Sequence, residues 1–355
     1  MKLVYQIHNI GIYLDNNADP SWFSRIMDSL KIPLDGFEIY INKINIKYSI
    51  YIKDYNELNS SDYIVVPESS KFYEKEGIFI TVENLNLGYM INDNHIDLWV
   101  SEDVTFVPYL AEVLFRKQNI TFVHGASVVL NDKGILLLAF GGIGKTSFVS
   151  KAIKNDNVKL LGDDLILISS DGYLYSYPRP FCLYKYHRDL FPQFFINNKV
   201  KYVTVKNNMY FKRAIRKLKK ILGIKDNNVY DYLTVSPFKL FNKSKIQIDP
   251  VKIEKVYVLR RKNGIDSVKV SNNITSEKAS NFAHSVILHE WLTGVRYFLN
   301  EYAQKFENYL KPFYDKYNII NKCLSFAKMF YLVDIPNGMS AKKVCDELNK
   351  LIIGE

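Results

Sequence analysis

Cysteine is scarce in this sequence of 355 residues, and the three that occur, Cys182, Cys323 and Cys345, lie far apart. Their odd number and the lack of a Cys-x-x-Cys pair argue against a disulfide scaffold and against a cysteine zinc site. Long apolar runs are also lacking, and none approaches the roughly 20 residues that span a bilayer. His8 and Asn9 interrupt the apolar start that a signal peptide would need. We therefore expect a cytoplasmic protein that does not contact membranes.

The composition is that of an ordinary globular protein, with 48% hydrophobic and 24% charged residues. Tyrosine and phenylalanine are abundant, at 26 and 22 residues, which indicates a core rich in aromatic side chains. The formal net charge is +10. Such a charge attracts anions of several kinds, including nucleotides, acidic peptides and nucleic acid, so it does not choose among them.

Short strands dominate residues 1–118, which we predict to form an N-terminal, mainly β accessory domain. Apolar and polar residues alternate with period two, as in a half-buried antiparallel sheet, over residues 3–14, 37–52 and 77–91. Helical spacing predicts a helix over 22–31, capped by Asp19 or Ser21, and another over 107–118. This part of the sequence offers no nucleophile, metal cluster or phosphate-binding loop.

Residues 119–355 are predicted to form a second domain with a basic insertion at about 195–250. The insertion is rich in Asn, Lys and Tyr, and its segment 211–222 has the pattern of an amphipathic basic helix. Around the insertion we predict strands at 122–130, 134–140, 158–161, 165–169, 173–177, 252–261 and 330–336, and helices at 146–155, 276–299 and 341–352. Turns are expected at residues 131–134 and at Asp171-Gly172.

A phosphate-binding loop is predicted between the strand at 134–140 and the helix at 146–155. Glycines let the backbone N–H groups approach phosphates, a lysine reaches the β- and γ-phosphates, and a hydroxyl beside it serves Mg²⁺. Ala139 stands where such loops usually have their first glycine. The sequence therefore predicts an ATP site whose residues are Gly141, Gly142, Ile143, Gly144, Lys145, Thr146 and Ser147.

An acidic pair, Asp163-Asp164, follows Lys145 closely and comes directly after an apolar strand. Adjacent side chains on an extended strand point to opposite faces, so we expect a separate role for each carboxylate. One would help Thr146 to hold Mg²⁺, with Asp163 assigned to the metal, and the other would accept a proton from an attacking hydroxyl. The alternative is a solvated Gly-Asp-Asp turn.

His124 precedes Gly125 at what we predict to be a strand end. A lone histidine serves structure more often than catalysis, and the other histidines of the sequence form no metal-binding set. Arg179, between two prolines, is interpreted as a surface residue, with contact to a phosphate or an acidic substrate as the alternative.

Together, His124-Gly125, Gly144-Lys145-Thr146 and Asp163-Asp164 resemble the catalytic domain of the HPr kinase/phosphorylase family. The resemblance is specific over about residues 120–180. It implies an α/β (α+β) fold with a mixed sheet and a nucleotide-binding core related to that of phosphoenolpyruvate carboxykinase. It also implies that Lys145 binds phosphate, Thr146 binds Mg²⁺, Asp163 or Asp164 is the base, and His124 lies near the reacting phosphate.

The sequence departs from that family in three places. Ser147 stands where the bacterial enzymes usually have Glu, Gly141 replaces the loop serine, and the Glu-x-Arg-Gly-Leu-Gly segment tied to phosphorolysis is not found. The chain is thus similar to the divergent kinase-like proteins found beside peptide-modification genes. We do not expect phosphorylase activity, and the acceptor need not be HPr.

The sequence predicts a kinase that transfers the γ-phosphoryl group of ATP to a serine hydroxyl of a peptide or protein, with Mg²⁺. A nucleotide-binding regulatory or scaffold protein of a peptide-modification pathway is the alternative, and small-molecule phosphorylation is a third interpretation. Nucleic acid is not expected as a partner, because the basic helix belongs to no recognised binding fold. Assembly into a homo-oligomer stays open.

Overall fold

A computed structural model describes residues 1–40, 45–57, 64–65, 72–75, 78–81, 87–101, 104, 107–197, 232–295 and 307–354. The predicted basic helix at 211–222 lies outside the described residues, as does the rest of 198–231 within the predicted insertion. None of the helices in the described ranges is long and apolar enough to cross a membrane.

An eight-stranded mixed sheet forms the N-terminal part of the protein, with the order β1-β2-β3-β8-β7-β6-β5-β4. Its strands are β1 (Lys2–Ile7), β2 (Ile10–Leu14), β3 (Tyr48–Asp54), β4 (Ile64–Val65), β5 (Phe72–Lys75), β6 (Ile78–Thr81), β7 (Leu87–Ile91) and β8 (His95–Val100). The expected antiparallel arrangement is wrong for two pairs, since β3 runs parallel to both β2 and β8. The helix α1 (Pro20–Leu34) connects β2 to β3, and a helical crossover is what returns a chain to a parallel neighbour.

Three local predictions in this region can be compared with the structure. Asp19 is the cap of α1, because its carboxylate accepts the N–H groups of Ser21 at 2.9 Å and Trp22 at 3.1 Å. Residues 3–14, where the alternation predicted antiparallel sheet, form the antiparallel hairpin of β1 and β2, which turns at His8 with a φ of 53°. The strand pattern over 37–52 is wrong at its start, because Asp35–Tyr40 forms a 3₁₀ helix, and residues 41–44 lie outside the described residues.

A seven-stranded mixed sheet forms the second part, with the order β10-β9-β11-β12-β15-β17-β16. Its strands are β9 (Ile120–Leu130), β10 (Lys133–Leu138), β11 (Val158–Ser169), β12 (Tyr173–Tyr175), β15 (Val251–Lys262), β16 (Lys269–Ser271) and β17 (Met329–Pro336). β15 runs parallel to β10 and β17, and the other pairs are antiparallel. The predicted class, α and β with mixed sheets, is confirmed at this level.

Helices and a small ribbon complete the described residues. The ribbon pairs β13 (Phe181–Tyr184) with β14 (Tyr232–Val235) in antiparallel fashion. The helices are α2 (Val107–Arg116), α3 (Lys145–Ala152), α4 (Pro192–Asn197), α5 (Pro237–Leu240), α6 (Ser276–Val295), α7 (Glu307–Leu324) and α8 (Ala341–Ile352), with further 3₁₀ turns at Tyr55–Glu57, Lys185–His187 and Lys243–Lys245.

One hydrophobic cluster contains residues from both sides of the predicted domain boundary at residue 118. Within it the rings of Phe115 and Phe122 meet edge to face, with centroids 6.0 Å apart. Glu112 of α2 is fully buried and accepts the backbone N–H of Phe122 at 3.0 Å, and it pairs with Lys316 of α7 at 2.8 Å. These contacts fix β9, the strand that carries His124.

Candidate functional site

Residues 139–144 form a glycine-rich loop that joins β10 to α3 and is named the glycine loop below. Gly142 has a φ of 75° and Gly144 a φ of 125°, values that side chains with a Cβ rarely adopt. At Gly144 a Cβ would also lie 2.6 Å from Cγ1 of Val344 in α8. Glycine at position 144 is therefore required by both the backbone conformation and the packing of the last helix.

Lys145, the first residue of α3, lies under the loop and is only 6% exposed. Its Nζ donates to the carbonyl oxygens of Ala139 at 2.8 Å and Phe140 at 3.0 Å. Nζ also lies 2.9 Å from Nε2 of His124. Because an ammonium group only donates, Nε2 must accept, which leaves Nδ1 of His124 as the protonated ring nitrogen. The loop backbone and the histidine thus hold the ammonium group at the cavity wall.

Asp163 faces the start of α3, where the hydroxyl of Thr146 donates to its Oδ2 at 2.5 Å. The side chain is buried, and among the described residues its Oδ1 has no hydrogen-bond partner. A buried, unpaired carboxylate oxygen requires an explanation, such as a cation that occupies the site in function. Burial raises the pKa of Asp163 to about 6, and the neighbouring charge of Asp164 adds to this rise.

Asp164 departs from the expected extended strand. Its φ is 75°, so the predicted opposite orientation of the two carboxylates is wrong, and both side chains line one cavity. Oδ2 accepts from Nη1 of Arg179 at 2.8 Å, and Oδ1 lies 3.6 Å from Nδ1 of His124. Burial alone would raise the pKa of Asp164, but the nearby Arg179, with His124 and Lys145, outweighs it and holds this pKa below its usual value.

The two carboxylates therefore differ in their protonation at about pH 6 and below. Asp164 stays ionised, whereas Asp163 changes its charge at a pH close to 6. Arg179 is not the surface residue that we expected, because its side chain is 24% exposed and is paired with Asp164. The alternative, contact of Arg179 with a phosphate or an acidic substrate, stays a prediction.

A cavity of about 350 Å³ brings most of the predicted residues together. It is lined by His124, Gly141, Gly142, Gly144, Lys145, Thr146, Asp163, Asp164, Pro180, Cys182, Tyr184, Tyr186 and His187. Two predicted residues do not line it: Ile143 belongs to the hydrophobic core, and the side chain of Ser147 is fully buried. At Ile143 and Ser147, therefore, only backbone groups could contact a ligand in the cavity.

Sequence reasoning missed the cavity residues from Pro180 to His187. In the structure Phe181 and Leu183 belong to a hydrophobic core cluster while Cys182 and Tyr184 line the cavity, as on a strand with one face buried. The sequence carried no signal for this difference, because all four residues from Phe181 to Tyr184 are hydrophobic.

Magnesium would have few protein ligands here. The described residues contain no group of three or more His, Cys, Asp or Glu side chains suited to a metal ion. The hydroxyl of Thr146 and the unpaired oxygen of Asp163 nevertheless fit Mg²⁺, which is commonly bound through one or two protein oxygens together with waters and phosphate oxygens.

Comparison of the sequence with known protein families finds no matching family, and comparison with characterised proteins finds no match either.

Proposed function

We propose that this protein is an ATP- and Mg²⁺-dependent kinase that transfers the γ-phosphoryl group to a serine hydroxyl of a peptide or protein. Its core would be a phosphate-loop core of the HPr kinase and phosphoenolpyruvate carboxykinase type. One observation carries the proposal: a strand, a glycine loop and a helix start place Lys145 and Thr146 in the same cavity as the two carboxylates. Catalysis in such sites depends on positioning and on neutralised charge.

The phosphates are proposed to bind over the glycine loop and the first turn of α3. Backbone N–H groups of the loop and of the helix start are the donors, and Lys145 supplies the positive charge for the β- and γ-phosphates. Thr146 and Asp163 would hold Mg²⁺, because their oxygens already lie 2.5 Å apart. When bound, Mg²⁺ neutralises part of the charge on the β- and γ-phosphate oxygens.

Asp164 is then the proposed proton acceptor. The acceptor's hydroxyl oxygen attacks the γ-phosphorus, the bond from that phosphorus to the oxygen bridging to the β-phosphate breaks, and ADP leaves. The proton of the hydroxyl passes to Asp164, whose side chain is 46% exposed to the cavity and remains ionised at neutral pH. Arg179 and His124 would orient this carboxylate. The N-terminal sheet and the insertion at 195–250 would select the acceptor.

Replacing Asp164 with Asn tests the proton acceptor. We expect kcat to fall roughly 100- to 10,000-fold, the usual contribution of a general base, with little change in the affinity for Mg-ATP. The measurement is transfer of labelled γ-phosphate from ATP to a library of serine-containing peptides, together with calorimetric binding of Mg-ATP. If the Asp163→Asn and Asp164→Asn variants both retained full transfer, neither carboxylate would be the base.

The acidity of Asp163 predicts a pH dependence of nucleotide binding. Protonation below a pKa of about 6 removes the charge that would hold Mg²⁺, so the affinity for Mg-ATP should fall about tenfold for each pH unit below this value. Titration calorimetry between pH 5 and 8 measures the effect. The Asp163→Asn variant, titrated at higher nucleotide concentration because it binds weakly, is the control, since the pH dependence of its remaining affinity comes from the nucleotide itself. Equal slopes for both proteins would contradict the assignment.

A nucleotide-binding scaffold without transfer is the second function that an observation favours. Lys145 is engaged with two loop carbonyls and His124, so a phosphate has to compete for its charge. The distinguishing result is tight binding of Mg-ATP without phosphorylation of any peptide and without ATP hydrolysis.

A further inference from the structure

Three aromatic residues line the cavity together with the glycine loop. Tyr184, Tyr186 and His187, named the aromatic wall here, all line the same space as Gly141 and Lys145. The rings of Tyr184 and Tyr186 are stacked almost parallel, at 5° with centroids 5.5 Å apart. They are 37% and 52% exposed, which is unusual for large aromatic groups held in a fixed arrangement.

His187 holds the aromatic wall in place through contacts with both tyrosines. His187 is only 2% exposed, its Nδ1 accepts the backbone N–H of Tyr184 at 3.1 Å, and its ring lies 4.2 Å from that of Tyr186. Burial lowers the pKa of His187 to about 4, so this ring is neutral at physiological pH and brings no charge for a phosphate. The wall therefore presents flat, uncharged aromatic surface to the cavity.

The aromatic wall and the proposed phosphate-binding residues share one cavity. Phe181 and Leu183 of β13 belong to the same hydrophobic cluster as Phe148 and Val149 of α3, the helix whose first turn provides N–H groups for phosphates. A nucleotide with its phosphates on the glycine loop would extend its base into the rest of this cavity, where Tyr184 and Tyr186 offer exposed aromatic rings.

We propose that the aromatic wall binds the base of the nucleotide by stacking on the ring of Tyr186. The inference rests on the proposed function, because it requires the phosphates to lie on the glycine loop. Stacking on an aromatic ring contributes to binding for every base, since every base has a π-face. The site should therefore accept ATP and GTP with affinities within about tenfold of each other. The ligand class is a nucleoside triphosphate selected by its phosphates rather than by the edge of its base.

The experiment compares Mg-ATP with inorganic tripolyphosphate, which has the phosphates but no base. We expect Tyr186→Ala to weaken Mg-ATP binding roughly 5- to 150-fold, the range for loss of one base–aromatic stack, and to leave magnesium tripolyphosphate binding unchanged. Tyr186→Phe should bind Mg-ATP as the wild type does. Tyr331→Ala is the matched control, because it removes one ring of the stacked pair Tyr257–Tyr331, which does not line this cavity.

Each outcome distinguishes this inference from the proposed function. Wild-type protein that binds neither Mg-ATP nor tripolyphosphate would overturn both. If the wild type binds both probes and Tyr186→Ala leaves Mg-ATP affinity unchanged, or weakens both probes equally, the stacking proposal alone is overturned. Unchanged Mg-ATP affinity with a raised KM for a peptide acceptor would assign the wall to the acceptor instead. Loss of Mg-ATP affinity alone, with unchanged thermal unfolding, supports stacking.

Discussion

Replacement of Asp163 with Asn is expected to stabilise the unliganded protein at pH 7.5 by up to about 3 kcal/mol, while removing most of its affinity for Mg-ATP. Stability increases because the Asn variant no longer has to bury the negative charge of Asp163. The pKa of Asp163 is about 6 instead of its ordinary 3.8, and each unit of difference corresponds to about 1.36 kcal/mol. The side chain is buried, so solvent screens this effect little. Asn keeps an oxygen that can accept from Thr146 but carries no charge.

The sign of this effect follows from proton binding. Between the two pKa values the folded protein binds more protons at Asp163 than the unfolded chain does, so stability falls as the pH rises from about 4 to 6. The cost of the charge is complete above pH 6 and largely gone at pH 4, where the advantage of the Asn variant should shrink to about 0.5 kcal/mol. Urea denaturation at both pH values measures the difference.

Asp156→Asn is the control for this prediction. Asp156 is also a carboxylate in an ion pair, with Lys245 at 3.1 Å, but its side chain is 100% exposed. Its replacement should change stability by less than about 0.5 kcal/mol at either pH. A loss of stability in Asp163→Asn at pH 7.5 would show that the carboxylate is stabilising, and the interpretation of its raised pKa would then be wrong. We expect that the charge of Asp163, which is proposed to hold Mg²⁺, lowers the stability of the folded protein, as functional groups do in many binding sites.

The parts of the site that could be predicted are those that depend on local sequence. The glycine loop lies between β10 and α3 as expected, because its spacing, the apolar strand before it and the helix after it are all adjacent along the chain. The turn before β10 also follows local rules, since Asn131 and Asp132 both adopt positive φ, as the two central residues of a tight hairpin do. The N-cap at Asp19 could be predicted for the same reason, because it lies directly before its helix in the sequence.

The parts that could not be predicted depend on contacts between distant segments. Nothing in the alternation of β11 indicates that Asp164 adopts a positive φ, which turns its carboxylate toward Arg179. The aromatic wall follows β13, whose Phe181 and Leu183 join a hydrophobic cluster that α3 shares, and no local pattern reveals which cluster a strand will join. Parallel pairing of β3 with two neighbours likewise follows from the path of the chain rather than from its period of hydrophobicity.

Lys145→Met is expected to impair phosphate transfer and nucleotide binding together. Without the ammonium group, the β- and γ-phosphates lose their charge-assisted donor, and we expect phosphate transfer to fall roughly 1000-fold, as with other preorganised donors in catalytic sites. The affinity for Mg-ATP should fall as well, measured as loss of the rise in Tm that the nucleotide gives the wild type. Lys151→Met is the control, because Lys151 lies on the same helix, is 39% exposed and pairs with Asp346.

Lys145 has a second role that the same variant tests. Its Nζ donates to the carbonyl oxygens of Ala139 and Phe140 in the glycine loop and contacts His124. Methionine leaves these acceptors without a donor, at a cost of about 1–3 kcal/mol for each buried one. The variant should therefore be less stable even without nucleotide, in contrast to Asp163→Asn. If Lys145→Met lowered stability but kept the full nucleotide-dependent rise in Tm, the lysine would serve only to hold the loop, and the kinase proposal would fail.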